Sequence, residues 1–561
     1  MEKCKPYTVL TEDGIWHYPI KADGSDWLAP IRLCDPFEVI GTGCDIAGQY
    51  YHVIEHQGEQ CLIARGDVGT NEGWRLLRNL MNIPSARKKL DLLTEYIQES
   101  QSIEPWEITD TAGWHKDAYI LPNGEIVGKA EQIYFNGKIS SAKRRAYGSK
   151  GSLNDWKSQI GKYAAGNSRL CLLLGAAFAA PLMQHLGIDG GILHLYGASS
   201  SGKTTAQRVA QSVWGHGAAT TESWNTTAFA LTNNAAARND GLLSMDEISE
   251  DGNGLGVDHS IYALSNGKGR AQGNKDGGNR PEIHFRTLCS STGEVSLESH
   301  LLMHGKQVKA GQLVRCPSIP HQLENKHDFA DFRAFTNHLN LAVAEYYGTA
   351  GRIFIEQLCA DKAHWLKVAQ ECFNQHHQQL AVDFALNAQH TRTARLFAAA
   401  MAGIELACKF GILSLNSEAT AQGIYKCFSD WLTPIQERSN GQGKSYEENA
   451  IEQAARDYMT RHRFDFVDIE QPYQPSSHFS GYTKKFPDKD DEYYVFSSIF
   501  KEEICKGFDE EIVKAVLYDL GWLQKEQEKR WQFQLYAKLG KSIKSERLGR
   551  FYKFSGISPK N

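Results

Sequence analysis

Residues 197–204 constrain this chain more than any other stretch. Gly197 is followed by four small residues, Ala198, Ser199, Ser200 and Ser201, then by Gly202, Lys203 and Thr204, the spacing of a phosphate-binding loop. Backbone N–H groups must curl round phosphate oxygens there, so bulky side chains are excluded and glycine supplies the turns. Lys203 brings a point charge to the outer phosphates, and the Thr204 hydroxyl is a ligand for Mg²⁺. The apolar run at 193–196 reads as a strand entering the loop. Thr205 and residues 206–214 repeat apolar positions at helical spacing, so the loop opens a helix N-terminus, where an anion is stabilised. The ligand this predicts is a nucleoside triphosphate, ATP, with Mg²⁺.

The chain's 561 residues are too many for one core. Four domains are expected: a β-rich region at 1–150, an α/β core at 151–330, a helical region at 331–440, and a linker with a further domain at 441–561. A net charge of −5 gives no overall field for a polyanion, so any contact with nucleic acid must come from local basic patches. The twelve cysteines stand singly, as in a reduced cytoplasmic protein rather than a disulfide or zinc framework. The N-terminus lacks the apolar core of a signal peptide. The most apolar run, 170–183, is shorter than the roughly 20 residues of a membrane span and reads as a buried helix beside the nucleotide core.

In the first region, short β-rich segments are broken by turns, with Asn123-Gly124 marking a hairpin and 86–99 a helix. His17, His52 and His56 read as packed or surface histidines. From 153 to 319, strand and helix alternate, which implies a parallel sheet covered on both faces. The apolar run 241–245 ends in Asp246 and Glu247. Asp246 is expected to hold Mg²⁺ and Glu247 to polarise the attacking water. A strand at 284–294 ends in small hydroxylated residues, and its tip senses the γ-phosphate in ATPases of this kind; Ser291 and Thr292 are both candidates. A strand is also expected at 312–319, carrying Arg315 as either a surface cation or a finger on a neighbouring subunit's ATP.

The glycine-rich stretch 265–280 carries Lys268, Arg270, Lys275 and Arg280. It reads as a solvated loop, or as a basic loop or hairpin touching nucleic-acid phosphates in a central pore. Arg270 or Arg280 is alternatively placed to reach a neighbouring nucleotide. The region 330–435 is helical throughout and looks like a lid, with Arg392 or Arg395 a candidate for contact with the bound triphosphate. In the last section, helices at 497–506 and 510–520, the latter with Asp509 as N-cap, precede strands at 532–539 and 550–554. That order resembles a winged helix, and the basic excess after Gly521 favours a phosphate backbone over a protein partner.

Several collinear segments resemble the family known as domain of unknown function 927, helicase-like ATPases of prophages, plasmids and chromosomal cassettes. They are Ala-Gly-Asn-Ser-Arg-Leu at 165–170, the loop and its helix at 197–214, Leu-Ser-Met-Asp-Glu-Ile at 243–248, residues 262–271, 291–295 and 310–315, and Tyr-Gly-Thr-Ala-Gly at 347–351. The resemblance implies an AAA+ P-loop fold with a helical lid and a C-terminal winged helix, a ring that is a hexamer of identical chains, and ATP-driven translocation on DNA. The family pattern has an aliphatic residue where Ser244 stands. The function expected is that of a ring DNA helicase replicating a mobile element. The rival is an ATP-gated interaction or assembly protein without unwinding activity.

Overall fold

The computed structural model describes residues 5–100, 104–129, 132–251, 255–269, 273, 278, 282–306, 308–438, 446–469, 479–487, 489–527, 530–538 and 545–556. Compactness divides the chain into one unit of Met1–His304 with Gln312–Trp431, and a second of Gly305–Gly311 with Leu432–Asn561.

The first unit begins with the strands Tyr7–Thr11, Gly14–Tyr18 and Ile31–Cys34 in an antiparallel sheet. A five-stranded sheet follows, in the order Ile133–Phe135, Pro105–Thr109, Glu38–Cys44, Tyr50–His56, Glu59–Ala64, with parallel pairs among its hairpins. The expected hairpin forms between Ala118–Ile120 and Ile126–Gly128. The expected helix spans Arg87–Glu99. The helix Asn71–Arg78, absent from the sequence reading, starts at Thr70, whose hydroxyl accepts the Gly73 N–H. His52 and His56 are buried.

The core sheet runs Glu222–Ser223, Gly241–Asp246, Thr287–Gly293, Gly190–Tyr196, Ser318–Pro320, every neighbouring pair parallel. Its central strands are buried from end to end apart from their tips, as a sheet covered on both faces requires. One correction concerns 312–319. The residues there read as a strand, yet Ala310–Leu313 is a short helix, and the chain joins the sheet after it, through the Arg315 and Pro317 carbonyls and the strand Ser318–Pro320. The buried Gln312 side chain donates to Asp258 (2.5 Å), which holds that turn against helix Leu255–Asn266.

Every residue of the helix Ser168–Ala179 is buried, and it packs on the helix Ala388–Lys409. No helix among the described residues is long and apolar enough to cross a membrane. The helices Phe332–Glu345, Thr349–Ala360, Lys362–Asp383, Ala388–Lys409 and Ser417–Arg438 follow the sheet. Three of them start at Asp331, Asp361 and Asn387, each side chain accepting an N–H three residues on.

The second unit packs helix Tyr446–Arg461 and helix Glu510–Asp519 on a sheet in the order Phe466–Asp468, Gly481–Lys484, Glu492–Phe496, Ser545–Phe554, Gln532–Lys538. Its core includes Ile451, Ala455, Val495, Phe500, Val513, Leu517 and Phe554. The expected two-stranded ribbon is therefore one edge of a five-stranded sheet. The helix expected at 497–506 is a short turn that widens to π geometry over Phe500–Ile504. Asp509 caps the last helix, accepting the Glu511 and Ile512 N–H groups.

Candidate active site

The strand Gly190–Tyr196 delivers the chain into the loop 197–202, and the helix Lys203–Gln211 leaves it. Gly202 sits at φ +97°, a left-handed conformation that glycine adopts without strain. No side chain caps this helix, so its first-turn N–H groups face the loop. Lys203 is buried and its Nζ donates to the carbonyls of Gly197 and Ala198, both at 2.8 Å. Ala198, Ser199 and Ser200 are exposed. The Ser201 hydroxyl is buried and has no protein partner. Open amides, a lysine resting on exchangeable carbonyls and an orphaned hydroxyl fit phosphate oxygens. Thr205 faces elsewhere, its hydroxyl accepting from Asn340 of the helix Phe332–Glu345 (3.0 Å).

Carboxylates meet this loop because the strands are in register. Met245 pairs with Ser291, which brings the tips at Asp246 and Thr292 together. Asp246 Oδ1 accepts from Thr204 Oγ1 (3.2 Å) and from Thr292 Oγ1 (2.5 Å). Thr292 Oγ1 in turn accepts the Glu247 N–H (3.1 Å). Thr204 and Asp246 thus offer hard oxygens side by side, the donor set a Mg²⁺ ion takes. Glu247 lies at φ +49°, a strained position for a non-glycine residue, costing about 1–3 kcal/mol. Its carboxylate caps the turn Ile248–Glu250, accepting from Ser249 N (3.3 Å) and Ser249 Oγ (2.6 Å).

Of the two hydroxyls left open by the sequence, only Thr292 turns to the carboxylates. Ser291 Oγ accepts from the Trp224 indole (2.9 Å) and pairs with His194 Nδ1 (2.9 Å), while His194 Nε2 meets the Val295 carbonyl (2.9 Å). This wiring leaves Nδ1 as acceptor and Nε2–H as donor. Burial pushes His194 down to about 4, so the ring is neutral. Ser244 also has its reason here. Its hydroxyl joins Ser290 Oγ (2.7 Å) and accepts from Gln211 Nε2 (2.7 Å), and Gln207 Nε2 reaches Ser290 and the Met245 carbonyl. A polar core ties both strands to the face of the loop helix where an aliphatic side chain would only pack.

The matching motifs elsewhere brace the same site. Buried Arg169 donates to the Pro320 carbonyl (2.6 and 2.9 Å) and to Asp430 (2.6 Å), while Asn167 Oδ1 accepts the Glu324 and Asn325 N–H groups. Together they clamp the segment that carries His321. That histidine's Nε2 meets the Ser201 carbonyl (3.2 Å), its Nδ1 is buried without a protein partner, and burial holds it down to about 4. His321 has no motif around it, and only the packing of the last strand brings it to the loop. In Tyr347–Gly351, the Gly348 N–H donates to Ser212 and the Gly351 N–H to Val213, both 2.8–2.9 Å, closing the end of the loop helix. A Cβ on Gly351 would lie 2.5 Å from the Trp214 ring.

Cations gather at the opposite end of the sheet. The Arg315 carbonyl accepts the Ile192 N–H (3.0 Å). Gly197 lies five residues on from Ile192, so at about 3.3 Å per residue the Arg315 carbonyl stands roughly 16 Å from its own loop. Its guanidinium lies over Tyr262 (5.3 Å to the ring centre), and burial with the neighbouring Arg392 charge lowers its pKa. Arg395 donates to the Leu186 and Gly187 carbonyls (3.0 and 2.9 Å), ahead of the loop strand, and so faces away from its own loop. Lys268 is exposed on a stem formed by bridges between 267–269 and 283–285. Arg270, Lys275 and Arg280 lie outside the described residues.

A parallel α/β sheet with a glycine loop at the end of one strand and two acids at the end of another is a nucleoside-triphosphatase-like core. Residues 8–284 match the family described as Domain of unknown function (DUF927), a segment that holds the loop, Asp246 and Glu247 and ends just before the strand of Thr292. A solved structure titled "SCCmec type IV Cch - active helicase" has the same fold, with a TM-score of 0.70 and 18% identity over 93% of this chain and 95% of that one. The apo NrS-1 C-terminal region aligns at a TM-score of 0.31 and 12% identity over 71% of this chain and 92% of that one, too low to bear on the fold. No curated protein matches the sequence significantly.

Proposed function

We propose that this chain is an ATP-driven DNA helicase of the AAA+ class, working as a ring of identical subunits, a hexamer, for a mobile genetic element. The observation that carries the reading is the convergence of Thr204, Asp246 and Thr292 within hydrogen-bond reach, with Glu247 next in line, beside a loop that opens into a helix start no side chain caps. In this reading ATP lies along 197–204, and Lys203 exchanges its two carbonyls for phosphate oxygens. Thr204 and Asp246 would hold Mg²⁺, which when bound offsets the phosphate charge. Glu247 orients the attacking water, and Thr292 fixes both acids. Arg315 is too far from its own loop to act there, which supports a role on the neighbour's nucleotide. Residues 331–440 act as the lid and 441–561 contain the winged helix. Lys268, together with Arg270, Lys275 and Arg280 of the same glycine-rich stretch, contacts the phosphates of single-stranded DNA. The solved structure of like fold, titled an active helicase of an SCCmec element, supports the same activity and setting.

The test is ATP hydrolysis with and without single-stranded DNA, alongside unwinding of duplexes with 3′ or 5′ tails. Wild type is expected to hydrolyse faster on DNA and to open one tailed substrate, and Lys268→Ala with Arg270→Ala to lose the stimulation. Hydrolysis indifferent to DNA, with no unwinding, would instead leave the ATP-gated assembly protein.

A further inference from the structure

In a winged helix that reads DNA, the helix before the ribbon enters the groove with cations and amides on its outer face. Here that helix is Glu510–Asp519, and it carries no arginine, asparagine or glutamine. Its single lysine, Lys514, is turned inward with a side chain 7% exposed, bound to Glu510 and Glu511 at 2.8 Å each. Solvent meets Glu511, Ile512, Ala515, Tyr518 and Asp519, one helical stripe of apolar residues with an acid at each end. Ile512 is 42% and Tyr518 45% exposed, and with Ala515 between them they make a contiguous apolar strip rather than scattered exposed residues. Phosphates brought to this stripe would meet carboxylates and release no counterions.

A second feature adjoins it. Tyr518 and Trp531 stand edge to face, 5.6 Å apart at 87°. Lys525 rests against both rings, its Nζ 4.2 Å from one centre and 4.4 Å from the other. Two rings at a right angle are a cation-binding surface, and at present the chain's own lysine fills it.

We propose that this stripe docks a basic, amphipathic helix of a partner protein. Its apolar side chains pack on Ile512, Ala515 and Tyr518, and its lysines or arginines face Glu511 and Asp519, one of them exchanging with Lys525 between the rings. Charge complementarity selects that occupant over a nucleic acid.

The test uses the full chain and fluorescence anisotropy with two probes, a labelled amphipathic leucine–lysine peptide and a labelled blunt DNA duplex. Tyr518→Ala and Ile512→Asp are expected to weaken the peptide by about tenfold each and leave the duplex unchanged. Both positions are exposed, and circular dichroism of each variant checks that it is folded. Glu511→Lys with Asp519→Lys is expected to reject the leucine–lysine peptide and to bind a leucine–glutamate peptide instead. Equal peptide affinity in wild type and all variants overturns the proposal. So does a fall in duplex affinity on Tyr518→Ala, which would make the stripe a DNA reader.

Discussion

Replacing Thr292 by valine keeps the shape of a fully buried side chain and removes one oxygen. That oxygen donates to Asp246 at 2.5 Å and accepts the Glu247 N–H at 3.1 Å. Loss of a hydrogen bond to a charged group costs about 1.5–3 kcal/mol, and a buried N–H left unpaired about 1–3 kcal/mol. Both acids of the site lose their common anchor, so kcat for ATP hydrolysis should fall about 100-fold, the scale for removing one preorganised donor. Ser291→Ala is the control. It strands the Trp224 indole N–H and a His194 nitrogen, again about 1–3 kcal/mol, but touches neither carboxylate. Urea unfolding should show comparable destabilisation in the two variants, and steady-state phosphate release should show the loss of kcat only in Thr292→Val. If Ser291→Ala loses as much kcat, or Thr292→Val loses none, the assignment of the tip is refuted.

Ser249→Ala removes the hydroxyl that holds the Glu247 carboxylate at 2.6 Å and should raise DNA-independent hydrolysis by up to about tenfold, read as kcat without DNA. His194 and His321 are both held down to about 4 by burial, against about 6.5 in an unfolded chain. The unfolded state therefore takes protons first. Stability is full above about pH 6.5, declines as pH falls, and has lost about 3 kcal/mol per histidine by about pH 4. Urea midpoints at pH 7 and pH 5 should differ less in the His194→Asn, His321→Asn double variant than in wild type. Gly351→Ala places a methyl 2.5 Å from the Trp214 ring and should cost about 1–3 kcal/mol in urea unfolding, whereas Gly66→Ala, with open space around it, should be close to neutral.

The chemistry contiguous in the chain was legible from the sequence. Gly197 to Thr204 is a local pattern, and Asp246-Glu247 ends an apolar run, so neither needs tertiary knowledge. The choice between Ser291 and Thr292 was not legible, because adjacent strand residues face opposite ways and only the register with Met245 decides which meets Asp246. The start of the strand expected at 312–319 was not legible: Ala310–Leu313 is a short helix whose Gln312 donates to the distant Asp258, while the Arg315 carbonyl still bonds the loop strand at Ile192. Arg169, His321 and Gly351 act across 151, 120 and 137 residues of chain, on Pro320, Ser201 and Trp214, and no local spacing encodes such contacts. In the second unit, the ribbon and the Asp509 cap were readable, while the three added strands are each five residues or fewer and leave no periodic signal.

Triphosphate hydrolysis at the loop of Lys203, with Asp246 and Glu247 as its acids, is open to one decisive measurement. Phosphate release from ATP with Mg²⁺ by wild type and Lys203→Ala, on protein shown by urea unfolding to be equally folded, tests it directly. Wild type is expected to hydrolyse ATP and the variant to stay at background. A variant that turns over ATP at the wild-type rate would place the chemistry elsewhere.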